Sequence, residues 1–235
     1  MTQLRIDIWS DIACPWCFVG KRRLETALET HAGIEGAEVV WHSFELDPSA
    51  PPELDNRKTT AERLAKKYGM PVERATAMIE QMTVTGASVG AEMDFDKLRA
   101  GNTFQAHRLL HWAAGKGKQD ALKERLFRAY LNEGELMSDV AALARLAGDV
   151  GLDSDEAAGV LASDDYSAEV RQDETQAAQL GIRGVPFFVF EGRLAVSGAQ
   201  PPEAFHRVFD QVLADQKKTA DAIPDALVCG PEGCV

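Results

Sequence analysis

The chain has 235 residues, enough for one large domain or two small ones, and its 45% hydrophobic content supplies a packed core. Its 37 acidic residues against 25 basic give a net charge of −12, which opposes nucleic acid and anionic membrane as partners and favours solubility. No stretch approaches the ~18 apolar residues of a membrane span, residues 1–7 carry neither a basic leader nor an apolar core, and four cysteines are too few for a disulfide-stapled secreted scaffold, so a cytoplasmic protein is expected.

Residues 4–9 alternate apolar and polar side chains and read as a strand. Cys14-Pro15-Trp16-Cys17 follows a few residues later. Residues 15–31 read as a helix with Phe18, Leu24 and Leu28 on its apolar face and Gly33 as its stop. Residues 38–44 are β-branched and aromatic, a second strand. This β-α-β unit predicts two parallel strands joined by a right-handed crossover. Residues 47–56 are Pro-rich and predict a loop. From about 59 to 179 no strand is expected. Helices are predicted over 60–68, 72–82, 103–114, 121–131, 140–150, 154–161 and 168–180. Glycines fall between them, and Asn102, Asp139 and Asp153 stand as start signals. The chain then returns to β: 187–190 is an apolar strand, Glu191-Gly192 a tight turn, and 194–197 its hairpin partner. A final amphipathic helix spans 201–217, and 218–235 reads as an irregular, flexible tail.

The fold class is therefore α/β, in the order β-α-β, a helical block, then β-β-α. Residues 1–55 and 165–217 form one discontinuous domain, 56–164 a helical insertion, and 218–235 a tail. The sheet needs both halves, so the insertion cannot simply detach.

The dithiol carries the most functional information. The thiolate is the nucleophile in disulfide exchange, and at an ordinary pKa of ~8.5 only about 3% is ionised at pH 7. A helix N-terminus supplies unpaired N–H groups and partial positive charge, and Pro15 fits the first helical turn because its missing donor costs nothing there. Cys14 is expected at the helix start, exposed and activated. Cys17 is expected one turn later, pointing inward to resolve a mixed disulfide formed at Cys14. A helix end contributes ~0.3–2 kcal/mol, at most about 1.5 pH units, and Trp16 adds no cationic donor. A moderately lowered pKa and an intermediate potential follow. The alternative is half of a zinc site or an inert pair, against which the preceding strand and following helix speak.

Other residues leave alternatives open. Cys229 and Cys234 form a second pair near the C-terminus: an accessory couple exchanging with Cys14 and Cys17, a metal clip made with them, or cysteines without a catalytic role. His107 and His111 share a helix face at a spacing that permits a metal pair, but no third ligand is near, so a face lining a groove or packed in the insertion is expected and no metal site is assigned. His42 reads as structural, and His31 and His206 as exposed. Trp9, Trp16, Phe18 and Phe187 are candidates for an apolar rim around the thiols, although core packing accounts for Trp9 and Phe187 equally well. Ser10 and Asp11 are placed to cap or solvate the motif's helix.

Three stretches together carry a family resemblance: 11–20 around the dithiol, Asn102-Thr103 with Ala106-His107-Arg108-Leu109, and Gly181-Ile182-Arg183-Gly184-Val185-Pro186. Over roughly residues 3–216 the chain resembles the DsbA superfamily, a thioredoxin fold with a helical insertion, and within it the cytoplasmic FrnE-like branch. The resemblance implies a thiol-disulfide oxidoreductase, with protein disulfide isomerase activity a candidate. It also implies a cis Val185-Pro186 bond that leaves Val185 backbone groups facing Cys14, free to hold an extended substrate strand. If the fourth helix faces the dithiol as in that family, His107 tunes the Cys14 thiolate or touches substrate. Periplasmic relatives carry a signal peptide and often His where Trp16 stands; their absence here favours reductase or isomerase work over strong oxidation. The implied partners are thiol- or disulfide-containing proteins, with glutathione or a thioredoxin-type reductant as candidate electron partner, and no cofactor.

Two other functions compete. One is a glutathione-dependent small-molecule isomerase or transferase of the same superfamily, in which Ser commonly replaces Cys14 and no resolving thiol is needed. The retained Cys17 argues against it. The other is a peptide-binding chaperone that uses the cleft and the helical insertion.

Overall fold

The computed structural model describes residues 4–34, 36–55 and 57–221. The described elements run in the order β1 (Leu4–Ser10), α1 (Pro15–Thr30), β2 (Ala37–Ser43), α2 (Thr60–Tyr68), α3 (Val72–Ala87), α4 (Phe104–Ala114), α5 (Gln119–Arg128), α6 (Val140–Asp149), α7 (Ser154–Ala162), α8 (Ser167–Gln179), β3 (Phe187–Phe190), β4 (Leu194–Ser197) and α9 (Pro202–Asp221). This is the thioredoxin-like α/β order with helices between the two strand pairs. The four strands form one sheet in the order β2-β1-β3-β4. β1 pairs parallel with β2 and antiparallel with β3, so that Ile8 lies between Trp41 and Phe188. The hairpin between β3 and β4 turns at Glu191 and Gly192, both at positive φ (51° and 65°), as a tight hairpin requires.

Period-two alternation sorts β1 between two cores. Leu4, Ile6 and Ile8 point to one face, where they meet Leu24 and Ala27 of α1 and Phe205, Phe209 and Val212 of α9. Phe205 stands edge-on to Phe188 at 5.0 Å and Phe209 edge-on to Phe190 at 5.9 Å, a geometry worth ~0.5–1.5 kcal/mol per pair beyond the area buried. Trp9 points to the other face, against Ala177 and Ile182. The helical insertion has its own core, and that core includes Ile12, Cys14, Cys17, Phe18 and Val19. The dithiol segment is thus packed into the insertion as well as attached to the sheet.

Several boundaries differ from the sequence expectation. Where a single helix was expected over 121–131, α5 stops at Arg128 and Ala129–Glu133 winds as a wider π turn. That turn closes at Gly134, with φ at +78°. A Cβ there would stand 2.5 Å from the Lys97 carbonyl oxygen, so the close approach needs glycine. α9 continues to Asp221, past the expected start of the tail. His31 and His206 are half-buried rather than exposed, because they tie α9 to α1. His31 Nε2 lies 3.1 Å from Asp210 Oδ1, and His206 Nε2 lies 3.2 Å from the Ala27 carbonyl oxygen.

Two side-chain systems join the sheet to the insertion. Gln119 accepts from the Trp41 N–H at 3.0 Å and donates to its carbonyl at 2.9 Å, acting as a substitute strand on the sheet edge. The second is centred on Asp173 of α8. Its carboxylate lies 2.7 Å from His42 Nδ1 and 3.0 Å from His111 Nε2, and accepts from the buried Ser43 N–H at 2.7 Å. His42 Nε2 reaches Asp7 at 2.9 Å, and its ring stacks on Trp9 at 4.4 Å. Burial pushes the Asp173 carboxyl up, but His111, His42 and the Ser43 N–H outweigh it and hold it well below its ordinary value. Burial likewise lowers His42, but Asp173 and Asp7 outweigh it and hold the ring above its ordinary value.

Linkage fixes the pH dependence. Asp173, depressed in the fold, contributes stability above its ordinary value near 4, lost as pH falls below that. His42, raised in the fold, contributes fully below about pH 6.5 and loses its contribution as pH rises through the folded value. Urea midpoints followed against pH should therefore fall on both sides of mildly acidic pH. Asp173→Asn should flatten the acid limb and His42→Gln the alkaline one; unchanged limbs in folded variants would contradict the clamp.

Candidate active site

Cys14 is the N-cap residue of α1, in an extended conformation (φ −93°, ψ 110°), with Pro15 at the first helical position. Its N–H donates to the Asp11 carbonyl at 3.2 Å, and its carbonyl accepts from the Cys17 N–H at 3.0 Å, so one turn holds both cysteines. Both thiols are free. The Val185-Pro186 peptide bond is cis, as the resemblance implied. The Cys14 Sγ–H donates to the Val185 carbonyl oxygen at 3.6 Å, so that carbonyl already has a partner in the reduced form. Gly20 allows this approach: a Cβ there would stand 2.9 Å from Pro186 Cγ and 3.1 Å from Phe188 Cζ.

Two expectations about Cys14 are corrected. It is 5% exposed, not open to solvent. The neighbouring Cys17 thiol and burial together push the Cys14 thiol well above the ordinary cysteine range. A helix terminus supplies at most ~2 kcal/mol toward the thiolate, and desolvation beside a second thiol acts the other way with greater weight. Cys17 is fully buried, as expected.

Of the suggested aromatic rim, Trp16 alone stands out, at 46% exposure. Trp9 and Phe18 are core residues, and Phe18 stacks on Phe127 at 5.1 Å. Phe187 is half-buried beside Trp9 and Val185. His107 does not line a groove: it is buried, and burial lowers its pKa more than Asp11 raises it, keeping the ring neutral. Its Nε2 lies 3.4 Å from Asp11 Oδ1. Asp11 does not cap the helix either. It is buried under the turn, where its carboxylate accepts from Ala13 N–H at 3.2 Å and Leu46 N–H at 2.8 Å. Burial pushes that carboxyl up, but His107 and these two N–H groups outweigh it and hold it below its ordinary value. His111 belongs to the Asp173 clamp. No group of three or more metal-ligating side chains is assembled among the described residues. Cys229 and Cys234 lie outside the described residues.

Lys123 of α5 escaped the sequence reading. It is buried beside this turn, its Nζ 3.4 Å from the Ser10 carbonyl oxygen. The signal was present: Lys123 stands in the apolar stripe formed by Leu122, Leu126 and Phe127, where a charged residue breaks the amphipathic pattern.

Comparison with known proteins agrees with this architecture. The model of the DsbA-like thioredoxin domain matches residues 5–210. A Bacillus subtilis protein named as uncharacterised, YwbO, is 30% identical over 217 residues, covering 92% of this chain and 98% of its own. The crystal structure of a probable DsbA oxidoreductase from Streptomyces coelicolor is 40% identical, with 99% of each chain covered and a TM-score of 0.85. The cytosolic disulfide reductase DsbM from Pseudomonas aeruginosa, solved with glutathione, shares the fold at 18% identity and a TM-score of 0.61, over 89% of this chain and 99% of its own.

Proposed function

The chain belongs to the DsbA-like thioredoxin family, and we propose that it works through Cys14 and Cys17 as a thiol-disulfide oxidoreductase at the reducing or isomerising end of that chemistry. In this reading the Cys14 thiol gives up its proton when substrate reaches it, its thiolate attacks a substrate disulfide, the leaving substrate sulfur takes up the proton, and Cys17 resolves the mixed disulfide. Pro15 sets the helix start, and the exposed Trp16 ring offers an apolar platform to the substrate. Val185 and Pro186 receive the substrate backbone: an incoming extended segment takes over the Val185 carbonyl from the Cys14 thiol. His107 and Asp11 support the turn from inside.

The observation that carries the reading is the geometry of Cys14, at the N-terminus of α1, one turn from Cys17 and bonded to the Val185 carbonyl; the Cys17 thiol and burial push its pKa upward. Strong dithiol oxidants are strong because their reduced form is stabilised. A Cys14 thiol kept protonated lacks that stabilisation, so its disulfide is harder to reduce and its dithiol a better reductant. Suitable partners are disulfide-containing proteins, with glutathione or a thioredoxin-type protein returning the electrons. The reading takes the cytoplasm as the compartment, and Cys229 with Cys234 as an accessory couple feeding the first. No helix among the described residues is long and apolar enough to cross a membrane.

Equilibration of the full chain in glutathione redox buffers tests this, with bridged Cys14–Cys17 quantified by peptide mass spectrometry. The expected midpoint lies at about −230 mV or lower, nearer thioredoxin than the periplasmic oxidant at about −120 mV. A midpoint near the latter value, or no bridge at any potential, would overturn the assignment.

A further inference from the structure

The two segments that build the site carry almost no charge. Residues 12–20 hold no charged side chain, and residues 175–190 hold one, Arg183. Arg183 stands in the loop between α8 and β3, two residues before Val185, whose carbonyl oxygen lies 3.6 Å from Cys14 Sγ. Two residues of extended chain span at most ~7 Å, a gap that the long arginine side chain can cross. Arg183 is exposed, and among the described residues its guanidinium has neither a hydrogen bond nor an ion pair.

Other charges around the site are already engaged. Arg171 is held by Glu45 and Glu174, each at 2.6 Å. Asp47 follows Leu46, whose N–H reaches Asp11, and it accepts from the Ser49 N–H at 3.1 Å and from Ser49 Oγ at 2.7 Å. The loop ahead of the cis proline is also open: a Cβ added at Gly184 would meet nothing within 4 Å. A free guanidinium thus stands beside the Val185 carbonyl, in a chain whose net charge of −12 otherwise repels anions.

That guanidinium has a definite complement. Its planar fork makes paired, charge-assisted hydrogen bonds with a carboxylate. Alternate residues of an extended segment lie on one side, ~6.5–7 Å apart. A segment laid along Val185 therefore brings to Arg183 a group one or two residues from its own sulfur. A cysteine inside a protein presents a carboxylate there only beside an acidic residue or a chain end. The cysteine of glutathione has a carboxylate on both sides, so either direction of the tripeptide presents one.

We propose that Arg183 is a specificity-determining residue of this site and selects carboxylate-bearing small thiols and disulfides of the glutathione type. The proposal rests on the reading of Cys14 and Cys17 as a reversible couple and names the substrate class that couple favours. With oxidised glutathione, the Cys14 thiol gives up its proton and its thiolate attacks one sulfur. The glutathione S–S bond breaks, and the leaving thiolate takes up the proton. Cys17 then loses its proton and attacks Cys14 Sγ, and the second glutathione leaves as a thiolate that takes up that proton. The dithiol is oxidised and one disulfide becomes two thiols; reduced glutathione runs the steps backwards. Arg183 takes no part in the bond changes. It holds the carboxylate, and so aims the substrate sulfur at Cys14.

The test follows formation of the Cys14–Cys17 bridge in the reduced full chain, by acid quench and peptide mass spectrometry. One oxidant is oxidised glutathione and the other is uncharged bis(2-hydroxyethyl) disulfide. The readout is the ratio of the two rate constants. In Arg183→Gln the ratio should fall about three- to fivefold, and in Arg183→Glu at least about tenfold. Arg183→Lys, which keeps the charge, should retain most of it. Raising salt to about 0.5 M should bring the parent ratio toward that of Arg183→Gln. A ratio unchanged in Arg183→Gln and Arg183→Glu overturns the proposal, whether both rates stay the same or fall together. The two levels separate in the parent chain: no bridge with either disulfide sinks the couple and this inference together, whereas a bridge formed with a ratio indifferent to Arg183 sinks this inference alone.

Discussion

With serine at position 17, the protein is expected to accumulate covalently joined to its substrate. Cys14 still attacks a disulfide, but no second thiol stands one helical turn away to release it. An intramolecular thiol in that position outcompetes millimolar external thiols by at least ~100-fold, so turnover in insulin reduction should fall toward the uncatalysed rate while intact mass shows one substrate attached per chain. Cys14→Ser should lose both the adduct and the turnover, because a serine hydroxyl does not replace a thiolate in disulfide exchange. The experiment belongs in two backgrounds. If Cys229 and Cys234 form an accessory couple, they release part of the adduct, and trapping is complete only when both are serine.

The same variants separate the competing functions. A glutathione-dependent isomerase or transferase needs one nucleophile and no resolving thiol, so Cys17→Ser would retain its turnover. A peptide-binding chaperone would continue to suppress aggregation after loss of both thiols. Full turnover in Cys17→Ser, with no adduct, would remove the oxidoreductase reading.

Local patterns were legible wherever chemistry and geometry share a short segment. The spacing in Cys14-Pro15-Trp16-Cys17 is enough to place both thiols on one helical turn, and alternation in β1 and apolar runs in β3 set the strands. What stayed hidden depends on segments far apart in sequence. The burial of Cys14 needs Val185 and the insertion core to close over it, and no property of residues 11–20 encodes that closure. His107 sits on the expected helix, but whether it meets substrate or Asp11 depends on how α4 is rotated against β1. The π turn at Ala129–Glu133 ends at Gly134, where the backbone passes close to Lys97, an approach that a helical periodicity in residues 121–131 does not register. Lys123 was legible in principle, since a charge inside an apolar stripe is visible without a structure.

Arg108, in the motif that carries part of the family resemblance, is expected to produce the largest stability effect of any single side chain outside the dithiol turn. It is 2% exposed. Its guanidinium donates to the carbonyls of Asp165 at 2.8 Å, Val160 at 2.7 Å and Ser163 at 2.5 Å, and to Gln105 Oε1 at 2.6 Å. These carbonyls belong to the end of α7 and the link into α8, where Tyr166 is held at a φ of +62°. One side chain from α4 therefore fixes the route by which the insertion returns to the sheet. Arg108→Met keeps most of the buried volume but strands several main-chain acceptors, each at ~1–3 kcal/mol where water cannot reach. Some of them recover solvent when the link loosens, so a loss of about 3–5 kcal/mol is expected. That is a large part of the ~5–15 kcal/mol available to a typical fold, and calorimetry should record a fall in Tm of roughly 10 °C or more. Arg108→Lys keeps the charge but not the planar fork, and should fall between the two. If Arg108→Met unfolds within ~1 kcal/mol of the parent chain, the link between α7 and α8 is held by its own packing and not by this guanidinium.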